Sequence, residues 1–261
     1  MTDMVRQATG ADLGVAARVL GLAFETYPWT RWSIPDVDYE QRLERLQYLY
    51  LGHALTHGLV LVDEQLRSVA AFLPPDAPEP GPDMQIEVLE LLGSRATALI
   101  DLSLPQPKGP AWTLATVGVD PAHQGKGLGT AVASEGLTRI DREAGAVVLE
   151  TSDERNVRLY GRLGFLVTDT TVIPGGPTVH SMRRAPLPGS WQPGATFAVP
   201  SFGLADGDQM AGGVVQEGDR AAVVLQGDIA AVRGAAETVV LSPGAIDGGL
   251  ELVTAGGQVG H

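Results

Sequence analysis

The stretch that decides the fold is VGVDPAHQGKGLG, residues 117–129, where an apolar run leads into three closely spaced glycines. It follows a predicted strand over residues 111–119 and opens a predicted helix over residues 127–144. Gly125, Gly127 and Gly129 remove side chains from the turn, so that successive backbone N–H groups can point at one anion. The N-terminus of the helix behind them adds about half a positive charge. The sequence therefore predicts a binding site for a diphosphate.

Two common phosphate-binding patterns do not fit this stretch. The Walker pattern requires Ser or Thr directly after its lysine, whereas Lys126 is followed by Gly127. The dinucleotide fingerprint requires G-x-G-x-x-G, whereas this stretch reads G-x-G-x-G and lies in the middle of the chain. Taken alone, the stretch is also compatible with a glycine-rich turn that precedes a helix and binds no ligand.

A second stretch, LETSDERNVRLYGRLGF at residues 149–165, reads as the end of a strand followed by a short helix over residues 156–163. Asn156 and Tyr160 are four residues apart, so they lie on one face of that helix. Each residue alone has an ordinary structural interpretation, with Asn156 as the helix N-cap and Tyr160 as a core aromatic. The two stretches occurring together in this order are more specific than either one.

Together the two stretches resemble the GNAT family of N-acetyltransferases. Residues 124–129, QGKGLG, match the Gln/Arg-x-x-Gly-x-Gly/Ala pattern of that family's pyrophosphate loop, and residues 149–165 resemble the strand and helix that follow it. The resemblance covers roughly residues 4–185 and implies an α/β fold, a central twisted mixed β-sheet flanked by helices. It also implies that the sheet is splayed open near its middle, with the pantetheine arm of acetyl-CoA in the gap.

The resemblance also implies roles for individual residues. Asn156 is expected to contact the pantetheine arm, and the Tyr160 hydroxyl is expected near the thioester sulfur, where it can protonate the leaving thiolate. A backbone N–H near Val119 is expected to serve the oxyanion of the tetrahedral intermediate. The residues expected to bind acetyl-CoA, the co-substrate, are Val117, Val119, Gln124, Gly125, Lys126, Gly127, Leu128, Gly129, Thr130 and Asn156.

Acetylation of an amine also requires a base, because the amine must attack the thioester uncharged. A free α-amine has a pKa of about 7.7–8.0 and is partly neutral in the cell, whereas a lysine amine, with a pKa of about 10.4, costs more to deprotonate. A carboxylate that acts through water suffices for an α-amine, and Glu150 at the end of its strand is the candidate. The alternative is that Glu150 caps the following helix or pairs with Arg155.

Within the family, the chain is similar to the puromycin N-acetyltransferases at residues 110–129, 149–152 and 27–31. This similarity implies a small-molecule amine as acceptor, an aminoacyl-nucleoside antibiotic such as puromycin, and a role in resistance or self-protection. Tyr27, Trp29 and Trp32, in a predicted aromatic loop over residues 27–35, are candidates to stack on the acceptor. The alternative for these three side chains is a lid that packs over the core.

Two other functions are compatible with the same motifs. One is acetylation of a peptide or protein N-terminus, whose α-amine has the same chemistry, and an open peptide groove would favour it. The other is a non-catalytic acyl-CoA-binding sensor. The presence of both Asn156 and Tyr160 argues against a sensor, because pure binding needs no proton donor at the sulfur.

The remaining sequence predicts the other elements of the sheet. Hydrophobic spacing predicts strands over residues 4–8, 59–62, 69–73, 147–151, 165–173 and 179–183, and helices over residues 13–24, 38–57 and 83–102. Strands that alternate with helices indicate one central sheet, so residues 1–185 are predicted to form the acetyltransferase domain. Residues 186–261 are rich in Gly, Ala and Val and are predicted to form either a small β module or a loosely ordered tail.

The composition excludes several function classes. With a net charge of −13, a nucleic-acid-binding surface is not expected, since phosphate contacts need clustered Lys and Arg. The absence of cysteine excludes disulfides, a cysteine nucleophile and thiolate metal sites. His53 and His57 are four residues apart, but no third ligand is apparent, so no metal is predicted. No apolar run is long enough to span a membrane and no signal peptide is evident, which predicts a cytoplasmic protein.

Overall fold

The computed structural model of the 261-residue chain describes residues 5–186. The predicted extension beyond Pro186 therefore lies outside the described residues, as does the first residue of the predicted strand over residues 4–8. Among residues 5–186, no helix combines the length and the apolar character that a bilayer crossing requires.

A seven-stranded sheet forms the centre of the fold. Its strands are β1 (Val5–Gln7), β2 (Leu59–Asp63), β3 (Ser68–Leu73), β4 (Trp112–Val119), β5 (Val147–Thr151), β6 (Leu166–Val172) and β7 (Thr178–Arg184). They lie in the order β1-β2-β3-β4-β5-β7-β6, and every neighbouring pair is antiparallel except β4 and β5, which are parallel. The mixed sheet implied by the sequence resemblance is confirmed.

Within residues 5–186, seven α-helices flank the two faces of this sheet. They are α1 (Leu13–Phe24), α2 (Pro28–Ser33), α3 (Tyr39–His57), α4 (Pro82–Leu92), α5 (Ala96–Ile100), α6 (Leu128–Asp141) and α7 (Glu154–Arg162). Helices α1 to α5 share one apolar core with Val69 and Ala71 of β3, whereas α6 and α7 share a second core with Ala70 and Phe72 of the same strand. Because successive side chains of a strand point to opposite faces, a continuously apolar strand is buried between two helical layers.

The segment predicted as an aromatic loop is partly helical, and that prediction is corrected. The first helix ends at Phe24 as predicted, but Pro28, within the predicted loop over residues 27–35, occupies the first turn of α2. Proline suits this position, because its fixed φ is helical and its missing N–H would have no intrahelical partner there. The short helix buries Trp29, Thr30 and Ser33.

The helix predicted over residues 83–102 is divided in two, a second correction. Helix α4 ends at Leu92, and Gly93 follows with a φ of 49°, a left-handed conformation that interrupts an α-helix. One 3₁₀ turn, Gly93–Arg95, then leads into α5. Hydrophobic spacing alone did not reveal this break, because the apolar positions continue on both sides of the glycine.

Two glycines allow helices to lie directly against the sheet from both sides. A Cβ atom at Gly118 of β4 would lie 2.5 Å from Cδ2 of Leu20, a residue of α1. A Cβ atom at Gly136 of α6 would lie 2.1 Å from the ring of Phe72, a residue of β3. Both distances are below van der Waals contact, so α1 and α6 hold β3 and β4 between them in a fixed position.

Strands β4 and β5 separate along their length, and this separation positions the site. They pair only at their first residues, Trp112 with Val147 and Thr113 with Val148, although β4 continues to Val119 and β5 to Thr151. A β-bulge lies in β4, because Ala71 of β3 pairs with Thr116 while the next residue, Phe72, pairs with Leu114. Such a bulge bends its strand and increases the local twist. The predicted splayed sheet is therefore confirmed.

Candidate active site

One side of the gap between β4 and β5 is formed by the glycine-rich loop that connects β4 with α6. Gly125 and Gly127 have φ angles of 75° and 76°, a left-handed conformation that favours glycine. Gly127 is the N-cap of α6 and makes no side-chain cap, so the first N–H groups of the helix have no partner of that kind. A Cβ atom at Gly127 would meet no atom within 4 Å, so the loop surface there is open.

The loop is braced by hydrogen bonds to the sheet. The Gln124 side-chain amide donates to the Val119 carbonyl over 3.2 Å, and the Asp120 N–H donates to the Arg67 carbonyl over 2.8 Å. The Asp120 carboxylate in turn accepts the Ala122 N–H over 2.8 Å. The loop therefore presents its backbone in a fixed geometry, and the Gln124 side chain is part of that bracing.

The residues predicted to bind the cofactor divide into two groups in the structure. Gly125 and Lys126 are exposed, and Gln124, Gly127 and Thr130 are half-buried at the loop surface. The remaining residues are buried: Val117, Val119 and Leu128 have buried side chains and Gly129 has none, so only the backbone of these four can face a ligand, and Asn156 is buried on α7. The arrangement is suited to recognition of an anion by backbone N–H groups, as the sequence predicted.

The opposite side of the gap is formed by the end of β5 and the start of α7. The Asn156 side-chain amide donates to Oγ1 of Thr151 over 3.2 Å, and the Tyr27 hydroxyl is 3.0 Å from the same oxygen. The Ser152 N–H donates to the Tyr27 hydroxyl over 2.7 Å. The N-cap of α7 is Asp153, whose carboxylate accepts the Arg155 N–H, so the interpretation of Asn156 as an N-cap is wrong.

Tyr160 lies in the core beside this wall, with none of its surface exposed. Its ring meets Phe165 edge-on, with 5.8 Å between the ring centroids. Its hydroxyl has no hydrogen-bond partner among residues 5–186. Burial, together with the nearby Tyr27 hydroxyl, raises the pKa of Tyr160 well above its ordinary value. The side chain therefore keeps its proton at physiological pH and is a hydrogen-bond donor, not a base.

Glu150 is buried on β5 and faces the α1–α3 side of the sheet. It pairs across the strands with Ser181 of β7, whose hydroxyl lies 3.5 Å from Oε1. Val179, two residues from Ser181 and on the same face, belongs to the α1–α5 core. The cap of α7 is Asp153, so the alternative in which Glu150 caps that helix is wrong.

The three aromatic residues predicted to stack on the acceptor occupy different environments. Tyr27 and Trp29 are buried in the α1–α5 core, which matches the alternative interpretation of a lid over the core. Trp32 is half-buried, with its ring centroid 5.3 Å from that of Trp29. Its indole also approaches the β6–β7 turn, because a Cβ atom at Gly176 would lie 2.8 Å from its ring nitrogen. Only Trp32 retains an accessible part of its ring.

Sequence reasoning missed three residues of this site: Thr151, Ser152 and Ser181. Thr151 connects Asn156 with Tyr27, the Ser152 N–H donates to the Tyr27 hydroxyl, and Ser181 contacts Glu150. The position of Thr151 and Ser152 between Glu150 and Asn156 was a usable signal. Ser181 had none, because its contact with Glu150 depends on β7 lying beside β5, which the order of elements along the chain does not reveal.

Comparison with known proteins agrees with this geometry. The profile described as the acetyltransferase (GNAT) family matches residues 24–165, just over half of the chain. A mycothiol acetyltransferase of Nocardiopsis dassonvillei is 40% identical over 78 residues, which are 28% of this chain and 23% of that protein. The chain therefore spans less than a quarter of the length of that curated relative.

A solved structure is similar over a longer region. It is described as histone acetyltransferase HPA2 and related acetyltransferase from Corynebacterium glutamicum. The two chains are 25% identical with a TM-score of 0.58, and the alignment covers 73% of this chain and 100% of the other.

Replacing Gly127 with valine tests the assignment of the loop. We expect Gly127→Val to weaken acetyl-CoA binding about tenfold or more, because a branched side chain there displaces the diphosphate from charge-assisted N–H hydrogen bonds worth about 1.5–3 kcal/mol. Isothermal titration calorimetry measures the affinity. Gly109→Val is the matched control, because Gly109 also has a positive φ, 80°, with no atom within 4 Å of its Cβ position. Unchanged affinity in a folded Gly127→Val variant would contradict the assignment.

Proposed function

This chain belongs to the GNAT family of acetyl-CoA-dependent N-acetyltransferases, and we propose that it transfers the acetyl group of acetyl-CoA to a primary amine of a small molecule. The acceptor that we propose is an aminoacyl nucleoside of the puromycin type. The proposal rests on the gap between β4 and β5, which has the glycine-rich loop on one side and the β5–α7 segment, with Asn156 and Tyr160, on the other. In the proposed complex, the diphosphate of acetyl-CoA lies in the glycine-rich loop, and the thioester lies against the side of the gap formed by β5 and α7.

The reaction begins with attack of the neutral amine on the thioester carbonyl carbon. A C–N bond forms, the carbonyl π electrons move to oxygen, and the amine nitrogen must lose a proton. Glu150, buried on β5 beside Ser181 of the neighbouring strand β7, is proposed to receive that proton through water. An α-amine with a pKa of about 7.7–8.0 needs little assistance, which favours an aminoacyl group over a lysine side chain as acceptor.

Collapse of the tetrahedral intermediate breaks the C–S bond and releases the thiolate. A backbone N–H at the unpaired edge of β4, near Val119, is proposed to stabilise the oxyanion. The Tyr160 hydroxyl is proposed to donate to the thiolate, whose conjugate acid has a pKa of about 8.5 by analogy with cysteine. Because the pKa of Tyr160 is higher still, a hydrogen bond that strengthens as charge develops on sulfur is the favoured form of assistance.

The choice of a puromycin-type acceptor is supported by sequence similarity and by one aromatic surface. The similarity to puromycin N-acetyltransferases lies mainly at residues 110–129 and 149–152, which form the cofactor side of the site. On the acceptor side, the half-buried indole of Trp32 beside Gly176 offers one surface for an aryl amino acid or a nucleobase. Such aromatic pairs contribute about 0.5–1.5 kcal/mol beyond the area that they bury.

The Tyr160 hydroxyl can be tested with a single substitution. We expect Tyr160→Phe to lower the maximal rate of acetylation by about tenfold or more while acetyl-CoA affinity changes little, because the lost hydrogen bond forms only as the thiolate leaves. Stopped-flow or steady-state release of free thiol measures the rate. Phe165→Leu, which changes the ring next to Tyr160 and keeps its hydroxyl, is the control for packing effects. A Tyr160→Phe variant with wild-type turnover would remove the residue from the mechanism.

Mass spectrometry tests the acceptor directly. Incubation of the full chain with acetyl-CoA and puromycin is expected to add one acetyl group to the α-amine of puromycin. The same assay is repeated with a short peptide in place of puromycin, and with acetyl-CoA and no amine. These two assays distinguish the competing functions. Acetylation of the peptide with unmodified puromycin would replace the proposed acceptor by a protein N-terminus. Binding of acetyl-CoA without transfer to any amine would support a non-catalytic sensor and contradict the proposed activity.

A further inference from the structure

Two histidines meet on the last two turns of α3, away from the residues discussed so far. His53 and His57 are four residues apart, so both imidazoles project from the same side of the helix. Their ring centroids are 4.7 Å apart and the ring planes are inclined by 46°. His53 is half-buried and His57 is exposed, so the pair is accessible from solvent.

The His53 ring is held in place by the segment between β3 and α4. It hydrogen-bonds to the backbone of Pro78, and because proline has no N–H, the imidazole must donate to the carbonyl. In a neutral imidazole the other ring nitrogen then carries a free lone pair. Histidines that bind metals are commonly oriented in this way, with one ring nitrogen donating to a carbonyl and the other facing the metal.

The electrostatic surroundings favour a cation next to these rings. Helix α3 ends at His57, and the C-terminus of a helix carries the negative end of its dipole. The whole chain adds a net charge of −13. The helix dipole and the negative net charge both favour binding of a cation.

We propose that His53 and His57 form a two-imidazole clamp for a divalent transition-metal ion of borderline softness, such as Cu²⁺, Ni²⁺ or Zn²⁺. Imidazole suits these ions, whereas Mg²⁺ and Ca²⁺ prefer oxygen ligands. Within residues 5–186 there is no group of three or more His, Asp or Glu side chains placed to hold a metal, so water completes the coordination shell. From the sequence alone, no metal was predicted at His53 and His57, because no third protein ligand was apparent.

The clamp would connect two parts of the fold. His57 ends α3, and His53 is bonded to the proline-rich segment that follows β3. A bound ion would therefore fix the last turn of α3 against that segment. The residues proposed for acetyl transfer lie on β4, β5, α6 and α7, so metal binding is separable from acetylation in an experiment.

Titration of the full chain with Cu²⁺, followed by calorimetry and by electron paramagnetic resonance, tests the clamp. We expect one saturable site with two nitrogen donors, and affinities in the order Cu²⁺ above Ni²⁺ and Zn²⁺. His57→Asn is expected to weaken Cu²⁺ binding about tenfold or more, with a similar loss in His53→Asn. Because His57 is exposed, the first variant should fold, and circular dichroism checks this.

His180→Asn is the control, because His180 lies 3.2 Å from the Glu154 carboxylate, closer than His123 lies to Asp120, and is therefore an alternative place for a cation among the described residues. This variant is expected to bind Cu²⁺ as the unmodified chain does. Loss of the site in His180→Asn, or unchanged binding in a folded His57→Asn variant, would overturn the proposal. Absence of saturable binding in the unmodified chain would overturn it as well.

Discussion

The site depends on one structural constraint: β4 and β5 begin as a parallel pair and then separate. A parallel pair normally continues its ladder, so each residue beyond Thr113 and Val148 gives up pairing between these two strands. The bulge in β4 supplies the bend, and the close packing of α1 and α6 on either side of β3 and β4 holds it. Backbone groups along the gap are thereby left for a ligand.

The two walls of the gap are held by different means. The loop wall is organised by backbone geometry, because glycine conformations and the hydrogen bonds of Gln124 and Asp120 hold the loop in one conformation. The β5–α7 wall is organised by buried side chains that include Thr151 and Tyr27. Tyr27 belongs to the segment between α1 and α2, so its hydroxyl joins that segment to the end of β5. A fixed gap of this kind favours catalysis, because it holds the amine and the thioester in contact.

The sequence predicted the parts of this arrangement that depend on local chemistry. Closely spaced glycines before a helix, and an Asn and a Tyr one turn apart, each constrain the backbone within a few residues, so their placement followed from the sequence. The contact of Tyr27 with Thr151 joins residues 124 positions apart and was not predictable in this way. The α2 helix was missed for a related reason, since six residues have little helical preference of their own and are stabilised by burial of Trp29.

Hydrogen–deuterium exchange with and without CoA tests the central claim most directly. At a saturating CoA concentration, we predict slower exchange at the backbone N–H groups of residues 125–130 and at the end of β4 that does not pair with β5. In the proposed complex, these groups donate to the ligand or face it. Exchange in α3 and α4, which belong to the α1–α5 core and not to the gap, should change little. Protection confined to those helices, with the glycine-rich loop unaffected, would contradict the assignment of the gap as the acetyl-CoA site.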